Sequence, residues 1–384
     1  MEGVINLPIY IKTSDTRCIT IITIIKKLYN MKRTFLFVAL LLIFSGAALA
    51  KKSPKNIIIM IGDGMGINQV QAAYTSNGGY LNMTDRCPYS GLRRTNSASD
   101  YITDSAAGGT AIATGVKTKN NMIGMSPDTL PLNSIIRLAT LKGLSTGVIA
   151  THSVTDATPA SFVAHQPHRF MHEEIAADYL TSDITLFIGG GKMHFEKRKD
   201  GRNISREMEA KGYEIVYSLE EARKTAGDKL GALIAEDAVE PASQRDPNLL
   251  ADATQLAIDK LNKNKKGFVL MVEGSQIDKG GHKNDQNYMI SETLDFDRAV
   301  GKALDFAQKD KNTLVVVTAD HETGGVTVAE GHYGKKKVVV KFNTGWHTAS
   351  PVPFFAYGPG AELFSGFKDN TASFYLMKDL LKLK

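Results

Sequence analysis

Short apolar runs alternate with longer amphipathic segments along the chain. Apolar runs without polar alternation are typical of strands buried on both faces, and they occur at Asn56–Ile61, Gly147–Thr151, Thr185–Gly189, Gly267–Glu273, Thr313–Thr318 and Val352–Tyr357. Helical patterns fall between them, at Leu132–Lys142, Glu173–Tyr179, Pro247–Asn262 and Ser291–Lys309. This order predicts an α/β fold, a three-layer α/β/α sandwich with a mostly parallel central sheet.

Carboxylates and histidines collect where the predicted strands end. They are Asp63 after the first strand, the segment Thr151–Thr158 after the second, Glu273, the pair Asp320 and His321, and His347 before the last strand. A single aspartate at a strand end is more often a cap or turn residue. In parallel sheets, however, ligands bind beyond the carboxyl ends of the strands. Five strand ends of this kind therefore predict one polar site.

The first strand runs into a glycine cluster, in the stretch KNIIIMIGDGMG. A dinucleotide-binding turn would need a third glycine where Ile67 stands, and an acidic residue closing a second strand about twenty residues on. Neither is present. Asp63 would also repel a pyrophosphate, whereas a cation would attract it. The stretch therefore predicts a metal-binding carboxylate.

The stretch EGSQIDKGGH is the densest group of metal-ligand types. One helical turn would present Asp278 and His282 to the same ion, because they are four residues apart. Mixed nitrogen and oxygen ligands without thiolate favour Zn²⁺, whereas an oxygen-only set suits Mg²⁺. That oxygen set would comprise Asp63, Asp156, Thr158 and Glu273. The ligands are too many for one ion, so two or three metals are predicted.

Ser105 is the candidate nucleophile, in the stretch YITDSAAGGTAIATG. It stands where a helix of small residues begins, so its hydroxyl and the first free N–H groups would face an anion. The alternative interpretation is an ordinary N-cap serine. Arg169 is the candidate phosphate clamp, because a guanidinium fork fits two phosphate oxygens. A surface salt bridge is its alternative, and the histidines around it, at positions 165, 168 and 172, are interpreted as structural.

The first fifty residues are expected to lie outside the folded domain. Residues 31–50 combine a basic start, a short apolar core and a small-residue ending, which is typical of a secretory signal peptide. We therefore expect residues 1–30 to be an upstream non-native extension, residues 31–50 a signal peptide, and residues 51–384 a single domain with short insertions. The expected location is periplasmic or secreted.

Charge and cysteine content limit which binding partners and which disulfide bonds are expected. Residues 1–50 hold six of the 46 basic and two of the 40 acidic residues, so the remainder is nearly neutral and indicates no specific nucleic-acid partner. Cys18 precedes the signal peptide and Cys87 is alone after it, so an exported protein without disulfides is expected.

Taken together, these motifs resemble the alkaline phosphatase family over nearly all of the chain after residue 50. The stretch ITDSAAGGT resembles the family's serine signature, and GDG, DATPA, EGSQIDKGGH, TADHETGG and WHT follow in the family's order. The resemblance implies an alkaline-phosphatase-like fold and hydrolysis of phosphate monoesters to alcohol and inorganic phosphate at alkaline pH. It also implies two zinc ions and one magnesium ion per chain.

The family pattern implies roles for individual residues. Ser105 would become phosphoserine and Arg169 would hold the phosphate. Ligands of the first zinc would be Asp278, His282 and His347, and those of the second Asp63, Asp320 and His321. The magnesium set would be Asp63, Asp156, Thr158 and Glu273. The pair of Asp156 and Lys279 resembles the best-known bacterial branch, in which the lysine reaches phosphate through water, whereas many relatives carry histidine at one or both positions.

Three further expectations concern partners and alternatives. A homodimer is compatible with the resemblance, but the 25 residues between His321 and His347 are too few for the crown-like insertion of animal relatives. A phosphodiesterase or sulfatase-like enzyme of the wider superfamily is the alternative reaction, and Arg169 with the third-metal set argues against it. A phosphate- or zinc-sequestering binding protein is the alternative class, and it would not need Ser105.

Overall fold

The computed structural model of the chain describes residues 26–31 and 53–384. Residues 26–31 form a short helix, α1. Ser53–Lys384 forms one compact unit that holds every other element. Apart from its first residue, the predicted signal peptide lies outside the described residues. Within the part of the chain that is described, no helix combines the length and apolar character needed to cross a membrane.

The compact unit contains fourteen strands among its described residues. They are β1 (Asn56–Gly62), β2 (Tyr89–Arg94), β3 (Ser145–Ser153), β4 (Leu186–Gly190), β5 (Tyr213–Val216), β6 (Lys229–Leu233), β7 (Phe268–Gly274), β8 (Thr313–Thr318), β9 (Glu322–Thr323), β10 (Thr327–His332), β11 (Lys337–Lys341), β12 (His347–Thr348), β13 (Val352–Tyr357) and β14 (Gly366–Asp369).

The helices lie between these strands. They are α2 (Ile67–Ser76), α3 (Asn82–Asp85), α4 (Ser105–Thr114), α5 (Ile135–Leu141), α6 (Ala157–Ala160), α7 (His172–Ser182), α8 (Lys192–Glu196), α9 (Ile204–Glu209), α10 (Leu219–Lys224), α11 (Leu249–Leu261), α12 (Ile277–His282), α13 (Gln286–Asp310) and α14 (Ala372–Leu380). Two 3₁₀ turns, Tyr333–Lys335 and Ala361–Phe364, complete the set.

Ten strands form the central sheet, in the order β14-β2-β13-β8-β1-β7-β3-β4-β6-β5. From β8 to β5 every neighbouring pair is parallel. Strand β13 is the exception, because it runs antiparallel to both β8 and β2. The mostly parallel sheet predicted from the sequence is thus confirmed.

The reversed direction of β13 matters for the site. Residues that precede an antiparallel strand lie at the same edge as residues that follow its parallel neighbours. His347, which comes just before β13, is therefore carried to the edge where β1, β7 and β8 end. Strands β12 and β9 pair there, with His347 opposite Thr323.

The core has two layers because the central strands are buried on both faces. Along β1, Ile57, Ile59 and Ile61 pack into one apolar cluster, and Ile58 and Met60 pack into the other. Successive side chains of a strand point to opposite faces, so unbroken apolar runs are needed where helices cover both. This arrangement confirms the predicted α/β/α sandwich.

Element bounds agree closely with the sequence pattern. Strands β8 and β13 have the predicted bounds, and β1 extends one residue beyond its prediction. Helix α13 begins five residues before its predicted start, because Asp285 caps it by accepting hydrogen bonds from the backbone of Asn287 and Tyr288. The two outermost strands on each side of the sheet, β14 and β2 at one side and β6 and β5 at the other, were not predicted, since their sequences lack long apolar runs.

Candidate active site

The carboxyl edge of the four central strands carries the predicted polar residues. The backbone N–H of Asp63, just after β1, donates to the carbonyl of Gly274 at the end of β7, 3.2 Å away. Asp320 follows β8, and its carboxylate accepts from the N–H of Gly64 at 3.3 Å. Three strand ends are thereby tied together, and their side chains face one buried space.

One cluster gathers Asp63, Asp320 and His321. Nε2 of His321 lies 3.4 Å from Oδ1 of Asp63 and 3.3 Å from Oδ2 of Asp320. The ligand atoms of the three residues lie within 4.8 Å of one another. Oγ of Ser105 is 3.0 Å from the same nitrogen of His321. The candidate nucleophile therefore lies at this cluster, which we call the serine-side cluster.

A second cluster forms around Asp278. Oδ1 of Asp278 is 3.3 Å from Nε2 of His282 and 3.6 Å from Nε2 of His347. The two histidine nitrogens are themselves 3.2 Å apart. Helix α12 places Asp278 and His282 one turn apart, as predicted. We call this group the outer cluster; the ring of His347 stacks on that of His321 at 3.6 Å, which joins the two clusters.

Hydrogen bonds assign the tautomer of all three histidines. Nδ1 of His282 donates to the carbonyl of Gly345 at 2.8 Å, and Nδ1 of His347 donates to that of Thr103 at 2.9 Å. The hydroxyl of Thr323 donates to Asp278 at 2.6 Å, so at 3.2 Å it accepts from Nδ1 of His321. Each Nε2 therefore presents a lone pair to the carboxylates.

The third predicted set is looser. Asp156 caps the short helix α6 by accepting from the N–H of Ala157, and Thr158 lies in that helix. Glu273 is buried at the end of β7, where its carboxylate accepts from the hydroxyl of Ser275 at 2.5 Å. Burial raises the pKa of Glu273, and the charge of Asp156 raises it further. The hydroxyl of Thr158 is buried without a hydrogen-bond partner.

Arg169 lies between two carboxylates. Its guanidinium is 3.2 Å from Oδ2 of Asp104 and 3.3 Å from Oδ1 of Asp156. Burial opposes its charge, but these carboxylates raise its pKa further above the ordinary value. Nζ of Lys279 lies 3.9 Å from Asp278, and Asp156 and Asp278 raise its pKa against the effect of burial. Two cations thus border the buried carboxylates, and the ion pairs of Arg169 are largely buried rather than at the surface.

Several buried carboxyls favour the neutral form in the absence of a cation. Burial, followed by repulsion from Asp320 and Asp278, raises the pKa of Asp63 well above its ordinary range. Burial likewise raises the pKa of Glu273 to about 8 and that of Asp320 to about 7. Burial lowers the pKa of His321, which is therefore neutral. These shifts show concentrated negative charge with few protein partners.

The residues present fit bound divalent cations. Oδ1 of Asp63 and Oδ2 of Asp320 are buried without a hydrogen-bond partner. The lone pairs of His282 and His347 face each other at 3.2 Å, which is unfavourable unless a proton or cation lies between them. Buried charges are normally paired or bound to metal. Carboxylates with neutral imidazoles suit Zn²⁺, and the oxygen-rich set around Glu273 suits Mg²⁺.

Ser105 is the first residue of helix α4, and its side chain is buried. The N-cap is Asp104, whose carboxylate accepts from the N–H of Ala107 at 3.0 Å, so the interpretation of Ser105 as an ordinary cap is wrong. The small residues that follow allow close packing. A Cβ on Gly108 would lie 2.9 Å from the carbonyl oxygen of Asp320.

Sequence reasoning missed three residues of the site. Asp104 caps α4 and orients Arg169, Thr323 links Asp278 to His321, and Nδ1 of His152 lies 3.3 Å from Asp156. The capping preference of aspartate just before a helix was the available signal for Asp104. The other two contacts depend on tertiary packing. Of the histidines interpreted as structural, His165 bonds the carbonyl of Leu132 at 2.8 Å.

An α/β fold with a buried serine, a paired arginine and two clusters of metal-ligand side chains defines a metal-dependent hydrolase of phosphate esters. The family model for alkaline phosphatase matches residues 54–343. Alkaline phosphatase 4 of Bacillus subtilis is 36% identical, with 88% of this chain and 94% of that protein covered. Alkaline phosphatase of Escherichia coli is 33% identical, with 88% of each covered.

Solved structures agree with these relatives. The alkaline phosphatase of the Antarctic bacterium TAB5 is 40% identical, covers 87% of this chain and 99% of its own, and superposes with a TM-score of 0.82. A mutant of that enzyme, with aspartate in place of a histidine, has magnesium bound in its M3 site. The present chain belongs to the alkaline phosphatase family, and it is a metal-dependent enzyme that hydrolyses phosphate monoesters.

Proposed function

We propose that the chain hydrolyses phosphate monoesters through a phosphoserine on Ser105, with two zinc ions and one magnesium ion bound, and at alkaline pH. The observation that carries the proposal is the 3.0 Å contact between Oγ of Ser105 and Nε2 of His321, within the serine-side cluster. A serine used only for capping would not need to face that cluster.

Ser105 is placed to attack a phosphorus atom. In the present structure its hydroxyl donates to the lone pair on Nε2 of His321. The rigid start of α4, capped by Asp104, fixes the hydroxyl in that position. The oxygen attacks the phosphoryl group as the hydroxyl loses its proton, and the ester oxygen leaves from the opposite side and takes up a proton from solvent, which gives phosphoserine and the free alcohol. Water then cleaves the phosphoserine.

Arg169 is placed to hold the phosphoryl group during both steps. Asp104 and Asp156 orient its guanidinium from two sides, so little conformational freedom is lost when it binds two non-bridging oxygens. Lys279, whose Nζ lies 3.9 Å from Asp278, adds positive charge near the outer cluster. A monoester dianion, with two charged oxygens to offer, suits this arrangement better than a diester.

The metal sites divide among the clusters. Asp63, Asp320 and His321 would hold one zinc; Asp278, His282 and His347 would hold the other; Asp63, Asp156, Thr158 and Glu273 would hold magnesium. When bound, the cations supply positive charge that stabilises both the attacking and the leaving oxygen. Neutral His321 and His347, whose pKa values burial lowers, are ready to bind a cation without first losing a proton.

We propose operation at alkaline pH because the concentrations of hydroxide and of deprotonated serine, which carry the two steps, both increase with pH.

We also propose that residues 31–50 direct export to the periplasm or medium, that residues 1–30 are not native, and that residues 51–384 are the mature domain. A homodimer remains a proposal, and light scattering of the mature domain tests it.

The test is hydrolysis of p-nitrophenyl phosphate beside bis-p-nitrophenyl phosphate by residues 51–384. Activity is measured before and after EDTA, and again after Zn²⁺ and Mg²⁺ are restored. We expect restored activity that strongly favours the monoester. Acid quenching during turnover with ³²P-labelled substrate should trap label on Ser105. Preference for the diester would overturn the monoester mechanism, and unlabelled protein during turnover would overturn the phosphoserine.

A further inference from the structure

Trp346 is an exposed aromatic ring fixed beside the outer cluster. It is the single tryptophan of the chain, and 61% of its surface is exposed. Its ring stacks on His347, with centroids 5.0 Å apart and planes 10° apart, and lies 5.1 Å from the ring of His282. One face of a large apolar ring is therefore covered by the site and much of the rest is left to solvent.

The backbone around Trp346 is anchored. The carbonyl of Trp346 accepts from the N–H of Gly324 at 2.9 Å, and its own N–H donates to the hydroxyl of Thr344 at 3.1 Å. The next residue pairs with Thr323 in the β12–β9 ribbon. A ring held at its backbone and on one face loses little freedom when a ligand packs on it, and such preorganisation favours binding.

The side on which Trp346 lies follows from the two clusters. Ser105 contacts the serine-side cluster through His321. In an in-line displacement the leaving oxygen departs opposite the attacking oxygen, which assigns it to the outer cluster. Trp346 contacts both His282 and His347 of that cluster. The group attached to the leaving oxygen must therefore emerge beside the indole.

We propose that Trp346 is a specificity-determining residue that packs against the leaving group and selects phosphate monoesters whose alcohol carries a flat aromatic ring. This inference rests on the proposed function. Stacking of two aromatic rings favours such esters over those with a small polar alcohol. The ring can be a phenol bonded directly to the phosphate or a base carried on a ribose, and both present the same flat apolar face.

Two matched substrate pairs distinguish a phenol from a base on a ribose as the source of the aromatic ring. Adenosine 5′-monophosphate and ribose 5-phosphate share the same primary ester oxygen and differ in the base. Phenyl phosphate is compared with a fluoroalkyl phosphate whose alcohol has a similar pKa. We expect Trp346→Ala to lower kcat/KM roughly fivefold for the aromatic substrate of at least one pair, which is the effect of losing one stacking contact. The kcat/KM of the non-aromatic substrate in the same pair should not change. Trp346→Phe should retain most of the preference.

The control variant is Tyr333→Ala, which removes another half-exposed ring that packs on Tyr74 rather than on a site residue. This variant should leave kcat/KM unchanged for both substrate pairs. Equal loss on all four substrates in Trp346→Ala would mean that the indole only supports His347, and would overturn the proposal. Unchanged kinetics would overturn it as well.

Fluorescence gives a readout that does not depend on turnover, because all tryptophan emission comes from Trp346. Benzylphosphonate, which has no hydrolysable ester bond, should change the emission of the metal-loaded mature domain far more than methylphosphonate does. Equal effects of the two, or an indole already shielded from acrylamide by a second copy, would overturn the proposal. If none of the four esters is hydrolysed, the proposed function fails, whereas the fluorescence comparison still tests the indole.

Discussion

The hydroxyl of Ser105 and Nε2 of His321 lie 3.0 Å apart, although 216 positions separate them in the chain. Helix α4 brings the serine and the end of β8 brings the histidine. The contact joins the proposed nucleophile to a buried cluster of candidate cation ligands, and the proposed roles of the two residues are separable by mutation.

Replacement of Ser105 by alanine should abolish turnover without emptying the metal sites. We expect kcat to fall by roughly 10³-fold or more, because the attacking oxygen is lost. Zinc and magnesium content, measured by mass spectrometry of the dialysed protein, should stay unchanged. Ser90→Ala, at an exposed position of β2, is the matched control and should behave as the parent. Loss of metal in Ser105→Ala would instead indicate a structural role.

Asp104 has two functions that two substitutions can separate. Asp104→Asn keeps the side-chain oxygen that caps α4 but loses the charge that faces Arg169, whereas Asp104→Ala loses both. Because Asp104→Ala also loses the cap, it should lower the free energy of unfolding by about 1 kcal/mol more than Asp104→Asn does. Both should weaken inhibition by inorganic phosphate. Denaturant titration and inhibition constants measure the two effects, and equal stability of the variants would contradict the capping role.

Arg169→Lys should weaken phosphate binding although both side chains carry a positive charge. The guanidinium can donate two parallel hydrogen bonds, and a lysine ammonium cannot reproduce that fork. We expect the inhibition constant of inorganic phosphate to rise about tenfold, the effect of one lost hydrogen bond to a charged group. Arg137→Lys, at a half-exposed arginine 3.8 Å from Asp183, should leave the constant unchanged.

Removal of metal should make stability depend on pH in a defined direction. Burial raises the pKa of Glu273 from 4.5 to about 8 and that of Asp320 from 3.8 to about 7 in the metal-free fold. At these two carboxyls the folded state binds more protons than the unfolded state, so their contribution to stability falls as pH rises. The lowered pKa values of His321 and His347 act in the opposite direction below about pH 6.5, so the Tm of EDTA-treated protein should drop clearly between about pH 7 and about pH 9. Protein reloaded with metal should show a smaller drop, and a rise in the metal-free Tm would contradict the assignment.

Gly108→Ala tests the close contact between α4 and the end of β8. In an open helix this change would be stabilising. Here the added Cβ would lie 2.9 Å from the carbonyl oxygen of Asp320, so we expect a loss of about 1–3 kcal/mol from overpacking, together with reduced zinc affinity. Gly334→Ala is the control, because its Cβ would meet no atom closer than 3.5 Å. Calorimetry and metal titration of both variants decide the matter.

Sequence patterns predicted the centre of the molecule better than its periphery. Strands such as β8 are unbroken apolar runs, and burial on both faces requires such runs, so their bounds were recoverable. Strand β2, second from one edge of the sheet, is half exposed and reads YSGLRR, which carries no comparable signal. The reversal of β13 was also beyond reach, because an apolar run does not record its direction.

The same distinction holds for the site. Strand-end carboxylates and the spacing of Asp278 and His282 indicated metal chemistry directly, and the structure brings these side chains together. The contact of His152 with Asp156 and the bridge made by Thr323 arise from packing between distant segments. Short-range spacing contains no information about such contacts, and no role had been predicted for either residue.

The late position of His347 and β13 in the chain sets the order in which a working site can be made. His347 and β13 come near the end of the chain, while Asp63 and β1 come near its start. A growing chain therefore holds the serine, the arginine and most of the acidic ligands long before the last histidine emerges. Catalysis has to wait for nearly complete synthesis, and a product shortened before residue 347 would lack both that ligand and the strand between β8 and β2.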